Sequence, residues 1–518
     1  MRVTLAGPGA GKTTELIRQI KEAILELNFN RELAVISYTN ASADDIKIRL
    51  SKEIDIPQNV FVGTIHSFMM RYYLKPYGGE LGYKTANITI VDKLDDTGID
   101  WVDAWVKKKV SDPQSRKQRA KSIIQGIRKR TLNAAAKKGV YTYDSIMKYS
   151  SDLSQKAYIT KLVSNKIQFL FIDEYQDISK YGHEIVKRIH NQNKTEISVV
   201  GDPDQSIYHF RYGQSQIGEK APAKGKQPLR EFTDEEDMDI QKLTVNHRSS
   251  KEIVTFNNRY GTIEDQSSEL GNLCSVQFMN ATNPKTIVNL FLTYGSKYNC
   301  ESYMLMAKKR CDVDILSRWM TSGEHQDIPA VISTKKISDY IVAQSGLSYQ
   351  QFCEKNQINR YQLKRLAVSV RNEMENYQLS ENGILRFVKR EAFSLFHIDL
   401  EFTDLVCSEQ GKSNKYNFEI YVSSKEYRDF KEGIRCMTIH KAKGLEADAG
   451  LVLAETSKQF LKWINMTHTN MKSDVDEDYR LGYVAFTRAK KLLMLACKEP
   501  VDVNDIKRNI RLELEIIE

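Results

Sequence analysis

The chain is poor in the features that would tie it to secretion, a membrane or a structural metal. Its seven cysteines (Cys274, Cys300, Cys311, Cys353, Cys407, Cys436 and Cys497) lie far apart, and no two stand in a CxxC spacing. That excludes a zinc-finger pattern and offers no disulfide framework, which fits a reducing, cytoplasmic compartment. No run of about 18 apolar residues occurs, so no membrane-spanning helix is expected. The opening Met-Arg-Val-Thr-Leu runs straight into a glycine-rich stretch, without a secretory pattern. Internal repeats and low-complexity tracts are also lacking.

What is present is ordinary in bulk and unusual in detail. The 518 residues exceed the size at which one hydrophobic core stops growing, so several domains are expected. An apolar share of 41% and a charged share of 28% are those of a globular protein. The net charge of +9 favours polyanionic partners, because lysine and arginine displace counterions held around phosphates. A solvated, mildly basic surface is the bland alternative.

The first strong motif is Ala6-Gly7-Pro8-Gly9-Ala10-Gly11-Lys12-Thr13-Thr14, between a short β-branched run and a segment of helical patterning. Strand, glycine-rich loop and helix form the context of a phosphate-binding P-loop, with Ala6 where the strict pattern has glycine. Backbone N–H groups of Gly7, Gly9, Ala10 and Gly11 can close round phosphate oxygens at the helix start. Lys12 is expected at the β- and γ-phosphates and Thr13 on Mg2+. Further on, Phe169-Leu170-Phe171-Ile172 reads as a buried parallel strand ending in Asp173-Glu174. Ligands of open α/β sheets bind at such strand ends. Asp173 is expected to hold Mg2+, and Glu174 to orient or deprotonate the attacking water of ATP hydrolysis.

With these two motifs in place, a longer series resembles the UvrD/Rep group of superfamily 1 helicases, in the family's order. Leu33 to Ala43, Val62 to Phe68, Asp173 to Asp177 and Val200 to Arg211 resemble motifs of its first half. Asn246-His247-Arg248-Ser249-Ser250, Thr438 to Glu446 and Arg480 to Ala489 resemble motifs of its second half. The resemblance implies that Gln205 senses the γ-phosphate, that Arg248 and Arg488 are arginine fingers, and that Glu446 takes a hydrogen bond from the ribose. His247 stands where the family has a stacking tyrosine, and Thr14 where relatives often have an arginine beside the base. The family's adenine-reading glutamine segment finds no counterpart before the loop, so a weakened preference for ATP is expected.

The same resemblance implies a path for single-stranded DNA. Tyr38, Tyr208 and Phe210 are candidate stacking platforms, with Thr39, Asn40, Thr64, His66 and His440 near phosphates. Non-specific strand binders combine such aromatics with cations. Core aromatics and structural histidines are the alternative. Between Lys107 and Lys138 twelve lysines and arginines stand against one acid, Asp112. That stretch reads as a basic helical element beside the strand or, more blandly, as a solvated face.

The expected fold is α/β, with two RecA-like P-loop NTPase lobes on parallel sheets, each carrying a mostly helical insertion. The first lobe is expected over 1–75 and 139–227, with its basic insertion at 76–138. The second is expected over 228–334 and 433–518, interrupted at 335–432 by an insertion smaller than that of full duplex-unwinding relatives. Asp234 to Asp239 is expected to be solvated acidic surface. The function implied is an ATP- and Mg2+-dependent DNA helicase or translocase on single strands and junctions, moving 3′ to 5′. The alternative is a nucleotide- or DNA-sensing ATPase that regulates a partner nuclease, as in Gabija-type antiviral defence.

Overall fold

Continuous apolar runs such as Leu33-Ala34-Val35-Ile36 and Phe169-Leu170-Phe171-Ile172 demand strands covered on both faces, and they form the interior of parallel sheets. The computed structural model describes residues 1–91, 117–207, 227–320 (except 236, 264, 274 and 275), 433–472, 477–507 and 514–517, with parts of 338–400. In chain order the first strands are β1 (Arg2–Ala6), β2 (Glu32–Ser37), β3 (Val60–Thr64), β4 (Thr89–Val91), β5 (Val140–Thr142), β6 (Ile167–Ile172), β7 (Glu196–Gly201) and β8 (Asp239–Leu243). Six of them make a wholly parallel sheet in the order β3-β2-β6-β7-β1-β8. β4 and β5 pair separately, next to a helix at Lys117–Lys137.

Helices α1 (Lys12–Leu25) and α2 (Asn40–Ser51) pack on this sheet. Leu16, Ile17 and Ile20 of α1 and Ile46 and Leu50 of α2 close a core against Leu33, Val35, Phe169 and Phe171. Their spacing is the helical stripe that buries one face.

The first lobe runs further than expected. β8 lies beyond residue 227 and pairs with β1 in register Arg2↔Asp239, extending the first sheet instead of opening the second. The acidic stretch is largely exposed, as expected, and carries surface ion pairs. Asp239 faces Arg2 at 3.3 Å, and Glu235 shares Lys187 with Glu231.

After a short parallel pair, β9 (Val245–Asn246) with β10 (Ser267–Ser268), come β11 (Val276–Met279), β12 (Tyr303–Ala307), β13 (Ile434–Thr438), β14 (Ala447–Ala454), β15 (Ala489–Cys497) and β16 (Leu514–Ile517). The last six form a second parallel sheet, ordered β13-β12-β14-β15-β11-β16. Its core is aromatic and methionine-rich, with Trp463, Phe278, Phe460, Phe486, Met304 and Met306 buried together. Ile207, from the end of the first lobe, is buried in the same cluster.

Both sheets belong to one compact unit, Met1–Val91 with Lys109–Thr321 and Gly433–Glu518. A second unit takes Asp92–Lys108 and Ser322–Glu432. Its described part is helical, including Tyr349–Lys355 and Glu381–Phe396, and has its own core of Phe352, Leu363, Leu366, Val370 and Val388. Among the described residues no helix is long and apolar enough to cross a membrane.

The lobes meet at the ends of their central strands. β1, β6 and β7 deliver their C-terminal ends to the junction, while Glu446 and Arg488 stand immediately before β14 and β15. Lys443 crosses the junction, its ammonium 2.5 Å from Asp177 Oδ2 and 2.6 Å from the Gln205 carbonyl oxygen, with both side chains almost fully buried. Losing one partner leaves the other charge in low dielectric. Lys443→Ala is therefore expected to destabilise the protein by about 3–5 kcal/mol. The shape-matched pair Asp177→Leu with Lys443→Met should recover most of that loss, as read by thermal unfolding.

Candidate nucleotide site and nucleic-acid groove

Chain direction alone brings the phosphate loop to the junction. β1 ends at Ala6, the loop turns, and Gly11 caps α1 at φ 74°, a left-handed conformation that glycine adopts without cost. Lys12 lies at the start of α1, its Nζ donating to the carbonyl oxygens of Ala6 and Gly7, both at 3.2 Å. The second lobe packs directly on this loop. Asn246 Nδ2 donates to the Pro8 carbonyl at 2.7 Å, and the His247 amide donates to the Gly9 carbonyl at 2.9 Å. A Cβ on Gly9 would stand 2.6 Å from Asn246 Oδ1 and 2.7 Å from Arg248 Cβ, so this position must stay bare. Gln266, which the motifs did not single out, packs its buried side chain against Gly7 in the same way.

A cavity of about 640 Å3 opens where the lobes meet. Gly9, Ala10, Gly11, Lys12, Thr13 and Thr14 line one side; Glu174 and Gln205 stand with them, and His247, Arg248, Glu446 and Arg488 come from the second lobe. Of the residues expected at the nucleotide, Gly7 and Asp173 do not line this cavity. Gly7 lies at the base of the loop, and Asp173 is buried beside Glu174.

The electrostatics follow from putting acids at strand ends in a closed junction. Burial, and then the adjacent Glu174 carboxylate, push the Asp173 carboxyl up to about 7. Burial also opposes charge on Glu174, but Lys12 and Lys443 outweigh it and hold that carboxyl below its usual range. Glu174 has φ 51°, which turns the chain sharply at the end of β6. A chain of hydrogen bonds then crosses the lobes. Gln176 Nε2 donates to Glu174, the Asp202 amide donates to Gln176 Oε1 at 3.1 Å, and Gln205 Nε2 donates to Asp202 Oδ2 at 2.6 Å. Arg488 Nη2 completes it, donating to Gln205 Oε1 at 2.9 Å.

Arg488 is fully buried, and burial followed by the charge of Arg248 pushes its guanidinium down to about 9. Arg248 donates from Nε to Glu446 Oε2 at 2.6 Å, and Lys490 holds the other Glu446 oxygen at 2.7 Å. Gln176, Asp202 and Lys443 were not among the expected site residues. All three lay within motifs of the sequence, but only the fold makes Gln176 and Asp202 links between Glu174 and Arg488 and sets Lys443 against Asp177 and Gln205.

A larger cavity, about 1240 Å3, lies behind the acidic strand end and shares Glu174 with the first. It gathers Tyr38, Thr39, Asn40, Thr64 and His66, five of the eight residues expected at the DNA strand. Thr39 and Thr64 cap helices, accepting from the amides of Ser42 and Ser67. Burial pushes His66 down to about 4, so its ring is neutral at physiological pH. Tyr143 packs on that ring at 4.9 Å and is itself exposed, while Arg71 and Lys75 add cations to the wall. These three were missed because their chain positions carry no distinctive motif. His440 does not line this cavity; it lies at Ile439–Ala442 on the second lobe, 3.9 Å from Glu477. Tyr208 and Phe210 lie outside the described residues.

Comparison with known proteins agrees with the geometry. The chain matches the UvrD/REP helicase N-terminal domain over residues 2–139 and 106–224, and the UvrD-like helicase C-terminal domain over residues 333–499. It is 22% identical to Gabija protein GajB of Bacillus cereus over 95% of this chain and 91% of that protein. It is 21% identical to ATP-dependent DNA helicase PcrA of Staphylococcus epidermidis, over 95% of this chain and 80% of that protein. With ATP-dependent DNA helicase Rep of Buchnera aphidicola the identity is 26%, over 48% of this chain and only 41% of that relative's length. Two parallel-sheet lobes, a P-loop, an acidic strand end and both matching domains make one assignment: the chain belongs to the UvrD/Rep-type superfamily 1 helicases.

Proposed function

We propose that this chain hydrolyses ATP with Mg2+ and uses the energy to move along single-stranded DNA in the cytoplasm, 3′ to 5′, unwinding duplex where it meets a junction. One observation carries the reading. Lys12 and Glu174 of the first lobe line a single cavity with Arg248 and Arg488 of the second. Positive charge placed across a cleft from the P-loop is what phosphoryl transfer requires, and it accelerates hydrolysis by about 10³–10⁵-fold in related chemistry.

The residues fit a hard divalent cation. Thr13 supplies a hydroxyl and Asp173 a carboxylate whose charge Lys12 compensates only in part. Mg2+ typically takes one or two protein oxygens and completes its shell with phosphates and water, so no cluster of three acids or histidines is required. None occurs among the described residues. When bound, the cation would neutralise charge on the β- and γ-phosphates. Lys12, freed from the Ala6 and Gly7 carbonyls, pairs with the same phosphates. Glu174, kept ionised by Lys12 and Lys443, orients water and accepts its proton. Gln205 touches Arg488 on one side and Asp202 on the other, so a γ-phosphate that engages Gln205 disturbs the bond joining the lobes. That couples nucleotide state to lobe closure. The groove lined by Tyr38, His66 and Tyr143 begins on the other side of Glu174 and offers stacking faces for a strand.

A second reading has its own support. The alignment with GajB runs through nearly the whole of both chains. On that reading the ATPase responds to DNA and governs a partner nuclease without processive movement. Strand displacement on forked DNA, alone and with candidate partners, separates the two.

Hydrolysis measured without nucleic acid and with single-stranded DNA, duplex DNA and RNA should rise most with single-stranded DNA; a rate indifferent to all of them would sink the translocase reading. Lys12→Ala and Glu174→Gln should each abolish turnover, while Glu174→Gln keeps nucleotide binding because Thr13 and Asp173 remain. Tyr143→Ala should raise the single-stranded DNA concentration for half-maximal stimulation by about tenfold, the loss of one stacked base.

Asp173 gives a pH signature. Its folded pKa of about 7 lies above the ordinary value of 3.8, so the nucleotide-free fold binds that proton more tightly than the unfolded chain. Stability from this group is present below pH 4 and lost as pH rises through 7, whereas Glu174, shifted downward, loses its share only in acid. Asp173→Asn should therefore raise the melting temperature of the nucleotide-free protein at pH 8 while abolishing Mg2+-dependent hydrolysis.

A further inference from the structure

Four consecutive carbonyls of the phosphate loop are held by donors of two kinds. Pro8 and Gly9 are held from the second lobe, by Asn246 Nδ2 at 2.7 Å and by the His247 amide at 2.9 Å. Ala6 and Gly7 are held by Lys12 Nζ, at 3.2 Å each. On the reading that Lys12 turns to the phosphates of a bound nucleotide, those two oxygens lose that donor. Among the described residues Gly7 then keeps only the Ala10 amide, at a long 3.3 Å. Ala6 and Gly7 are both buried, and a buried carbonyl that loses its donor is costly.

A replacement donor stands beside Gly7. Gln266 is 7% exposed, and its Nε2 has no hydrogen-bond partner among the described residues. A Cβ on Gly7 would stand 2.0 Å from that nitrogen and 2.5 Å from Cδ, so the carboxamide fills the place of a side chain on the loop. Buried amide nitrogens without an acceptor are rare in folded proteins, and each calls for a reason beyond packing.

The backbone behind this side chain is braced. Gln266 lies between the helix Lys251–Asn258, whose Ile253 and Phe256 are buried in the second core, and β10. Asn258 Nδ2 donates to the Gln266 carbonyl at 2.8 Å, and the Ser267 amide donates to the Thr244 carbonyl at 2.9 Å. Asp265, directly before it, holds φ 59°, the left-handed region that a Cβ disfavours. Thr262 ties the same segment to the first lobe, its Oγ1 donating to Asp204 Oδ1 at 2.9 Å.

We infer that Gln266 is a positioning residue that takes over the Gly7 carbonyl when Lys12 leaves it for phosphate. The second lobe thereby registers phosphate through a change of donor. Without phosphate, Lys12 bonds Gly7 and the Gln266 amide has no acceptor. With phosphate, Lys12 is engaged and Gln266 bonds the carbonyl, so both donors are satisfied. Asn246 and His247 differ, because their bonds to the loop are made before phosphate arrives. Only an interaction that differs between two states can shift the balance between them.

The test is a double-mutant cycle on the full chain, read first without nucleotide. Gln266→Met keeps the length of the side chain and removes the donor. With Lys12 present, the melting temperature should stay level or rise, because a buried amide without an acceptor has gone. With Lys12→Ala the carbonyl is vacant and Gln266 should already hold it. The same Gln266→Met change should then lower the melting temperature by about 2 °C. A residue that only packs would act alike in both backgrounds.

Binding is then read by calorimetry with Mg2+ in the full chain carrying Glu174→Gln, which blocks turnover. Gln266→Met should weaken ATP and inorganic tripolyphosphate equally, by about tenfold, the scale of one hydrogen bond. Gln266→Glu, of the same shape without the donor, should weaken both at least as much. An equal drop in melting temperature in the two Lys12 backgrounds, or affinities unmoved by either substitution, overturns the inference alone. If neither ligand binds with Gln266 intact, the nucleotide reading has failed and takes this inference with it.

Discussion

Buried carboxylates need positive charge, and in this protein much of that charge arrives from the opposite lobe. Asp173, Asp177, Asp202 and Asp204 are all nearly buried at or just beyond the C-terminal ends of β6 and β7. Lys12 and Arg230 answer some of them from within the first lobe. Lys443 and Arg488 come from the second. Taking such acids out of water is expensive, and partners at hydrogen-bond distance offset the cost only while the lobes stay together. The junction is therefore a place where binding a polyanion changes the balance on both sides at once.

That arrangement explains why the phosphate loop is so closely overlaid. Asn246 and His247 bond to carbonyls of the loop, and Gly9 has no room for a side chain. The second lobe thus reads the backbone shape of the first as well as its charge. Rearrangement of the loop on binding phosphate would be felt at Asn246, and from there at Arg248, whose amide bonds to Asn246 Oδ1 at 2.8 Å. The two cavities share Glu174, so changes at the nucleotide have a short route to the groove holding Tyr38, His66 and Tyr143.

Much of the fold was legible in the chain. Apolar runs ending in Gly-Lys-Thr and in Asp-Glu marked parallel strands with a site at their C-terminal ends, because buried strands and phosphate loops require those residue types locally. Boundaries were less legible. β8 is polar and exposed along most of its length, so nothing in its pattern tied Asp239 to Leu243 to the first sheet. It belongs there because its backbone completes the edge next to β1.

The chemistry of Lys12, Thr13, Asp173 and Glu174 was visible at the level of residues because each sits within a few positions of the strand or loop that orients it. The chain from Glu174 through Gln176, Asp202 and Gln205 to Arg488 was not, since its ends lie more than three hundred residues apart and its last link, Arg488 to Gln205, forms only when the two lobes come together. The same holds for Tyr143 against His66, and for Gln266 against Gly7. Short-range pattern encodes which groups can hold a phosphate or a cation; which distant groups share their low-dielectric surroundings is a property of the folded chain, because burial and charge compensation exist only once the lobes have excluded water.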